Sequence, residues 1–490
     1  MGAGFAGIGT GIQLKRKGIG DFVIIERADE VGGTWRDNTY PGVACDVPSH
    51  IYSFSFRLNP DWSRVRAPGR EIQEYLVTAA REEGLYPHLR FGEALERATW
   101  DDVAKRWIVE TPRATYSARF VVLACGHLAD ERLPDIPGIE TFTGDFFHSA
   151  RWNHDVPLEG KRIALIGTGA SGIQLLPELA KVASQVVVFQ RTPPYISPAP
   201  NPVYTEAEKR LWSRSPETLR ELRTEMFWLA EANFAARRGV PAYLEAARKK
   251  ALDHLERSVP DPELRAKLTP DYEIGCKRLL NSDEYYATLQ EDHVILETSA
   301  LARIDGGQAI SAAGNAFEVD VIVFATGFEA AQPLFANHVF RHDGISLADS
   351  WCEGMIAYAS NTTHGFPNLF ILNGPNTSSG HLSAIYIIES QINYFMGALE
   401  FAHTHGAEVL EVTKEAESAY VADVRRRSEG TVWTDGGCHN WYVDPRSGAL
   451  TVIWPDFMHA FREENGTFDP EPYHVELAAH GRVEARGGAA

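Results

Sequence analysis

Arg162-Ile163-Ala164-Leu165-Ile166-Gly167-Thr168-Gly169-Ala170-Ser171-Gly172 holds the key to the fold. Its first five residues read as a buried strand and the G-x-G-x-x-G that follows as a tight turn. Residues 173–182 read as a helix whose free N–H groups face whatever the turn cradles. Val186-Val187-Val188-Phe189 is then a second strand, ending in Gln190-Arg191-Thr192. Outward from this unit, Gly2-Ala3-Gly4-Phe5-Ala6-Gly7 repeats the turn 165 residues earlier, with a helix over 8–17 and a strand over 21–26. In both copies 22 positions separate the second glycine from the strand-end charge, Gly4 to Glu26 and Gly169 to Arg191. Two copies with matching spacing predict an α/β fold with two Rossmann-like dinucleotide-binding domains. The first strand of the first unit, which should precede Gly2, is apparently missing. The expectation is a native start upstream of Met1, since a lost central strand is costly in a parallel sheet.

The strand-end residues choose between dinucleotides. Glu26 can accept hydrogen bonds from both adenosine ribose hydroxyls, which suits FAD or NAD. Arg191 accepts none, and its cation with Thr192 suits a 2′-phosphate, hence NADPH; the alternative for Arg191 is a solvated strand-end charge. Residues 120–126 and 320–328 read as the strands that return the chain from each unit, and 134–138 as a Pro/Gly-rich connector. Residues 193–273 change character. Five prolines make a stiff entry, Thr205 with Glu208 is a capping box, and Ser215-Pro216-Glu217 is a second helix start. Leu219, Leu222, Met226 and Leu229 form an apolar stripe. This helical insertion either covers a sheet face or forms a lid over substrate. The expected division is 1–140 and 346–490 for the FAD-binding domain, 141–192 and 274–345 for the NADP-binding domain, and 193–273 for the insertion. The Gly/Ala-rich tail 487–490 reads as loose.

Composition narrows the class. The 490 residues carry 47 basic and 66 acidic side chains, a net charge of −19, which repels polynucleotides and anionic lipid. Apolar residues make up 44% and the mean hydropathy is −0.23, the profile of a globular protein. The longest apolar runs fall far short of the ~20 residues of a membrane helix. Five scattered cysteines without C-x-x-C argue for a reducing, cytoplasmic setting and against a dithiol redox centre or a metal site.

Further motifs carry a family resemblance. Gly32-Gly33-Thr34-Trp35, Tyr40-Pro41-Gly42 and Asp46 match the long motif of the type I Baeyer–Villiger monooxygenases, within the flavin-containing monooxygenase superfamily. Phe142, Gly144, His148 and Trp152 resemble the fingerprint between the two nucleotide domains, although Asn153 stands where Pro or Asp is usual. Lys277-Arg278, Ala325-Thr326-Gly327-Phe328, Gly374-Pro375-Asn376-Thr377, Trp441-Tyr442 and Trp454-Pro455 continue the likeness along nearly the whole chain. The resemblance implies that NADPH reduces FAD, that O2 adds to give a C4a-peroxyflavin, and that its attack on a small-molecule ketone yields an ester or lactone. Arg278 would stabilise the oxyanions and Asp46 would orient Arg278; the alternative for this pair is a structural salt bridge. FAD would be held by Gly2, Gly4, Gly7, Glu26, Thr34, Trp35, Asp46 and Asn376. NADPH would be held by Gly167, Gly169, Ser171, Gly172, Arg191, Thr192 and Lys277. Trp441 is either a hydrogen-bond donor to the nicotinamide ribose or a core aromatic, and His148 resembles a hinge element. The rival activities are S- or N-oxygenation and, given the missing strand, a flavin-free NADP-binding remnant.

Overall fold

The computed structural model describes residues 1–478, so the tail expected to be loose, 487–490, lies outside the described residues. The second nucleotide unit is a five-stranded parallel sheet in the order Val294–Glu297, Gln185–Phe189, Arg162–Ile166, Val321–Phe324, Asp145–His148. Its central strands are buried on both faces, which is why they read as unbroken apolar runs. Ile163, Leu165, Val186 and Val188 pack on one face against Leu175, Leu176 and Leu179 of helix Ala170–Ala180. Ala164, Val187 and Ile322 pack on the other with Leu301 and Ile304.

The first unit pairs strand Ile24–Glu26 with Leu89–Phe91, and Val121–Leu123 with Leu369–Ile371, all parallel. Between these pairs run residues 1–3, which form no strand. The Met1 amino group donates to the Val122 carbonyl (2.6 Å) and the Met1 carbonyl accepts from Ala124 (2.8 Å). On the other side the Gly2 N–H donates to the Ile25 carbonyl at 2.8 Å, so this short backbone run joins the two halves of the sheet. Helix Phe5–Arg16 follows and buries Ile8 and Ile12 against Ile385, Ile388 and Ile392 of the long helix Ala384–His405. A four-stranded sheet (Val339–Phe340, Arg97–Asp101, Arg106–Glu110, Thr115–Ala118) flanks this unit and buries Trp100 and Trp107.

Residues 206–268 are five helices, Glu206–Arg214, Pro216–Glu231, Phe234–Arg237, Pro241–Ser258 and Pro262–Leu268. The Thr205–Glu208 capping box is formed in both directions. The apolar stripe is corrected at its end. Leu219 is buried and Leu222 and Met226 are half-buried, but Leu229 is 66% exposed. Phe227 turns inward instead, onto Tyr386, so the buried face shifts around the helix in its last turn. Among the described residues no helix is long and apolar enough to cross a membrane.

The cysteine reading is also corrected. Cys276 and Cys438, 162 residues apart, are joined by a disulfide, while Cys45, Cys125 and Cys352 are free. Sequence spacing could not show this, because the pairing comes from the segment before Arg278 packing on the loop before Trp441.

Candidate active site

The two glycine turns are built alike. Gly2 (φ +101°) and Gly167 (φ +107°) occupy backbone that side chains rarely adopt, and a Cβ there would lie 2.5 Å from the Ala124 carbonyl oxygen and 2.6 Å from that of Ala325. A Cβ on Gly7 or Gly172 would lie 1.8 or 2.3 Å from the carbonyl oxygen of Gly2 or Gly167, so helix and strand close only over glycine. At the middle glycines the space is open: a Cβ on Gly4 would meet only Gly33 Cα at 3.6 Å, and one on Gly169 would meet nothing within 4 Å. Both helix N-termini therefore present unobstructed N–H groups, a cradle for a pyrophosphate.

A cavity of about 400 Å³ opens over the first turn, lined by Gly2, Gly4, Glu26, Thr34 and Trp35 among others. The buried Glu26 carboxylate accepts from the Ala3 and Ala28 N–H groups at 2.8 and 2.9 Å and pairs with Arg36 at 3.1 Å, which fixes it at the cavity wall. These groups fit the ribose and pyrophosphate of a dinucleotide. Over the second turn, Thr168 donates to the Thr192 carbonyl (3.4 Å), and Arg191 is exposed beside Lys277. Burial, then the Arg191 cation, pulls the Lys277 pKa down. Two cations held close, with no carboxylate in an ion pair with either among the described residues, fit a bound phosphate.

Between the turns lies the segment of the long motif, and the structure gives it a mechanical sense. Tyr40 donates to Gln174 Oε1 (2.9 Å) and Gln174 Nε2 donates to the Ala44 carbonyl (3.0 Å). Gly42 (φ +81°) lies so close to helix Ala170–Ala180 that a Cβ would stand 2.7 Å from the Gln174 carbonyl oxygen. Residues 40–44 thus dock on the second unit, and two residues on, Asp46 reaches Arg278. Arg278 Nη2 and Nε donate to Asp46 Oδ2 at 2.6 and 3.0 Å. Asp46 first, opposed by burial, raises the Arg278 pKa, so the guanidinium stays charged. Tyr442, almost wholly buried, lies beside it.

Of the other expected residues, Asn376 and His148 make their contacts outside these clusters, while Trp441 packs on the Tyr442 that lies beside Arg278. Asn376 (φ +52°) spends its amide on the Leu450 and Ile453 carbonyls at 2.8 and 3.1 Å, clamping the returning segment to the C-terminal part. Trp441 is half-buried against Tyr442, their ring centroids 4.3 Å apart. His148 ends the edge strand Asp145–His148, where Nδ1 caps Ala150 N–H (3.1 Å). Sequence reasoning missed Gln174, which no motif marked. It also missed Arg237, a buried guanidinium from the helical segment packed on Gly275.

The description "pyridine nucleotide-disulphide oxidoreductase" names a family model that matches residues 1–224. Over 100% of its length the chain is 42% identical to a Baeyer–Villiger monooxygenase of Streptomyces coelicolor, covering 94% of that protein. It is 40% identical over 99% of its length to a Baeyer–Villiger monooxygenase of Pseudomonas aeruginosa, again covering 94%. The chain belongs to the Baeyer–Villiger monooxygenases. Among solved structures this monooxygenase superposes on a closed cyclohexanone monooxygenase with a TM-score of 0.86 and 26% identity, over 97% of this chain and 98% of the other. A steroid monooxygenase bound to NADP gives 0.83 and 29% over the same shares. FAD and NADPH are the cofactors of this monooxygenase, as its family and its neighbours indicate.

Proposed function

We propose that this chain inserts one oxygen atom of O2 beside the carbonyl of a small-molecule ketone, giving an ester or lactone and water, with NADPH and O2 consumed and FAD as the recycled cofactor at a site centred on Arg278. The observation that carries this reading is the Asp46–Arg278 pair, which joins the FAD-side motif to the segment leading from the second unit. When bound, FAD would supply the hydride acceptance and O2 activation that no side chain provides. The chain's own residues bind, orient and polarise. Glu26 would accept from the ribose of FAD, with Gly2, Gly4 and Gly7 admitting its pyrophosphate and Thr34 and Trp35 forming a wall. Asn376 would set the returning flavin segment. Gly167, Gly169, Ser171 and Gly172 would admit the pyrophosphate of NADPH, and Arg191, Thr192 and Lys277 its 2′-phosphate. Trp441 would donate its indole N–H to the nicotinamide ribose.

Arg278 has the central task. Two of its nitrogens bond Asp46, and Nη1 makes no hydrogen bond among the described residues. That free nitrogen can donate to the oxyanion that forms when a ketone carbonyl is attacked, and the fixed positive charge needs no reorganisation to do so. Asp46 keeps the guanidinium plane in place. We assign the domains as 1–140 with 346–490 for FAD, 141–192 with 274–345 for NADPH, and 193–273 as the insertion. A cytoplasmic setting suits a protein that draws on NADPH.

The test is turnover of a panel of linear, cyclic and aryl ketones beside a thioether, in wild type and Arg278→Ala. Wild type should form ester or lactone, and the variant should lose that product by at least 100-fold while still oxidising NADPH. Sulfoxide without any oxygen-inserted ketone product overturns the assignment in favour of heteroatom oxygenation.

A further inference from the structure

Arg237 closes the short helix Phe234–Arg237 and is 6% exposed. A guanidinium carries five N–H donors and a fixed charge, so burying one calls for acceptors around it. Arg237 has little: Nε and Nη2 share a single acceptor, the Gly380 carbonyl oxygen, each at 3.3 Å. Nη1 makes no hydrogen bond among the described residues, and no carboxylate there pairs with the side chain. The carboxylates of the adjoining segments are committed elsewhere. Glu231 holds His381 and His459 at 3.0 and 2.7 Å, Glu273 holds Arg248, and Asp46 holds Arg278.

The surroundings place this charge on the Arg278 side of the molecule. Its guanidinium lies on Gly275, three residues before Arg278, so close that a Cβ on Gly275 would stand 3.0 Å from Nη1. Of the titratable groups around it, Tyr442 favours its charge, Arg278 repels it, and His381 lies within reach of the same cation. Burial first, and also the Arg237 cation, lowers the pKa of His381, on the loop that supplies the Gly380 carbonyl, against the opposing pull of Glu231. Arg278, about a third exposed, holds Asp46 for itself, and the buried Arg237 is left without an anionic partner among the described residues. An unpaired buried cation is costly to a fold unless an anion completes it.

On the reading above of a ketone-oxidising site, we infer that Arg237 is a specificity-determining residue that receives a carboxylate carried by the ketone substrate. The substrate class is then oxo acids, with the carbonyl at Arg278 and the anionic end at Arg237. A guanidinium suits this because its fork binds both carboxylate oxygens.

Two arms test it on the holoenzyme. In the first, octanoate and octanamide are titrated into wild type, Arg237→Met and Arg237→Lys by calorimetry. Octanoate should bind wild type at least tenfold tighter than Arg237→Met, with Arg237→Lys between them and octanamide showing no such order. Equal octanoate binding by wild type and Arg237→Met overturns the inference, whatever the enzyme turns over. In the second, kcat/KM is compared for 5-oxohexanoate, 7-oxooctanoate and 9-oxodecanoate against 2-hexanone, 2-octanone and 2-decanone. At the best chain length the acid-to-neutral ratio should exceed ten in wild type and fall at least tenfold in Arg237→Met. A ratio unmoved by the substitution, with both substrates slowed together or the NADPH KM raised instead, assigns Arg237 to the fold or to the nucleotide and overturns the inference. Oxygenation of neither series, with octanoate binding intact, sinks the ketone reading and leaves the carboxylate site standing.

Discussion

Arg278 and Asp46 meet through a single carboxylate oxygen, Oδ2, which accepts from both Nη2 and Nε. The fork is therefore not closed on the carboxylate, and one guanidinium nitrogen stays available. Asp46→Asn keeps the shape and removes the charge. It should lower kcat/KM for a ketone by ~10–100-fold, the ~1.5–3 kcal/mol of a charge-assisted contact in a pair that is only partly desolvated. Steady-state kinetics beside the far-ultraviolet spectrum check this; unchanged kinetics would make the pair structural only.

Gly42 sits where the first unit grips the second. With φ at +81° and a would-be Cβ 2.7 Å from the Gln174 carbonyl oxygen, Gly42→Ala must push residues 40–44 off helix Ala170–Ala180. Asp46 moves with them. Flavin reduction by NADPH, followed in a stopped-flow instrument without O2, should slow at least tenfold while flavin content is retained. Loss of flavin with unchanged reduction of the remainder would place the effect in the first cradle instead.

Much of this site could be read from sequence, for a physical reason. A dinucleotide cradle is local: three glycines, a strand and a helix within about thirty residues must agree, and both copies do. The capping box at Thr205 is of the same local kind, whereas the order of the five-stranded sheet, which brings Asp145–His148 and Val294–Glu297 to its two edges, is not. Arg237, Gln174 and the Cys276–Cys438 bond were illegible because each depends on which distant segment arrives beside it. The stripe ending in Leu229 failed for a related reason, since Tyr386 offers Phe227 a better surface than Leu229 finds. The Asp46–Arg278 pair lies between these cases: no spacing rule joins residues 232 positions apart, and only the family motifs brought them together.

The Cys276–Cys438 link can be counted. Unfolded in guanidinium without reductant, the protein should show three reactive thiols, Cys45, Cys125 and Cys352, and five after reduction. Tying residues 162 apart should contribute about 2–4 kcal/mol, so reductant should lower the melting temperature. Five thiols before reduction would show the two sulfurs unbonded in solution.

His50 sets a pH limit. It is 2% exposed between Tyr204 and Trp212, its Nε2 finds no partner among the described residues, and the Arg223 cation bonds its carbonyl. Burial first, then Arg223, pushes its pKa down to about 4. A depressed folded pKa means stability that is full above the unfolded value of about 6.5 and is lost as pH falls toward 4. At pH 5 the loss is about 2 kcal/mol. His127, His148 and His381, all lowered by burial, act in the same sense. Denaturant melts at pH 7 and pH 5 should show wild type losing more than His50→Gln. Parallel losses would mean His50 does not resist protonation.

Arg191 and Lys277 divide the work of choosing the nucleotide. Lys277 is half-buried with its cation over the Tyr272 ring (5.1 Å), whereas Arg191 is exposed at the end of strand Gln185–Phe189 and its fork is free to turn. Neither makes an ion pair with a carboxylate among the described residues; Asp271 offsets part of their mutual repulsion, and an anion lying between them would relieve the rest. A 2′-phosphate does this and the bare ribose hydroxyl of NADH does not. Arg191→Ala should therefore raise the NADPH KM by ~10–100-fold, the ~1.5–3 kcal/mol of a charge-assisted contact. NADH, which never used the phosphate contact, should be affected less than threefold. Lys277→Ala should act in the same direction but also disturb the neighbouring Arg278, so its kcat should fall as well. A parallel loss for NADPH and NADH in Arg191→Ala would mean that this arginine shapes the turn and does not read the phosphate.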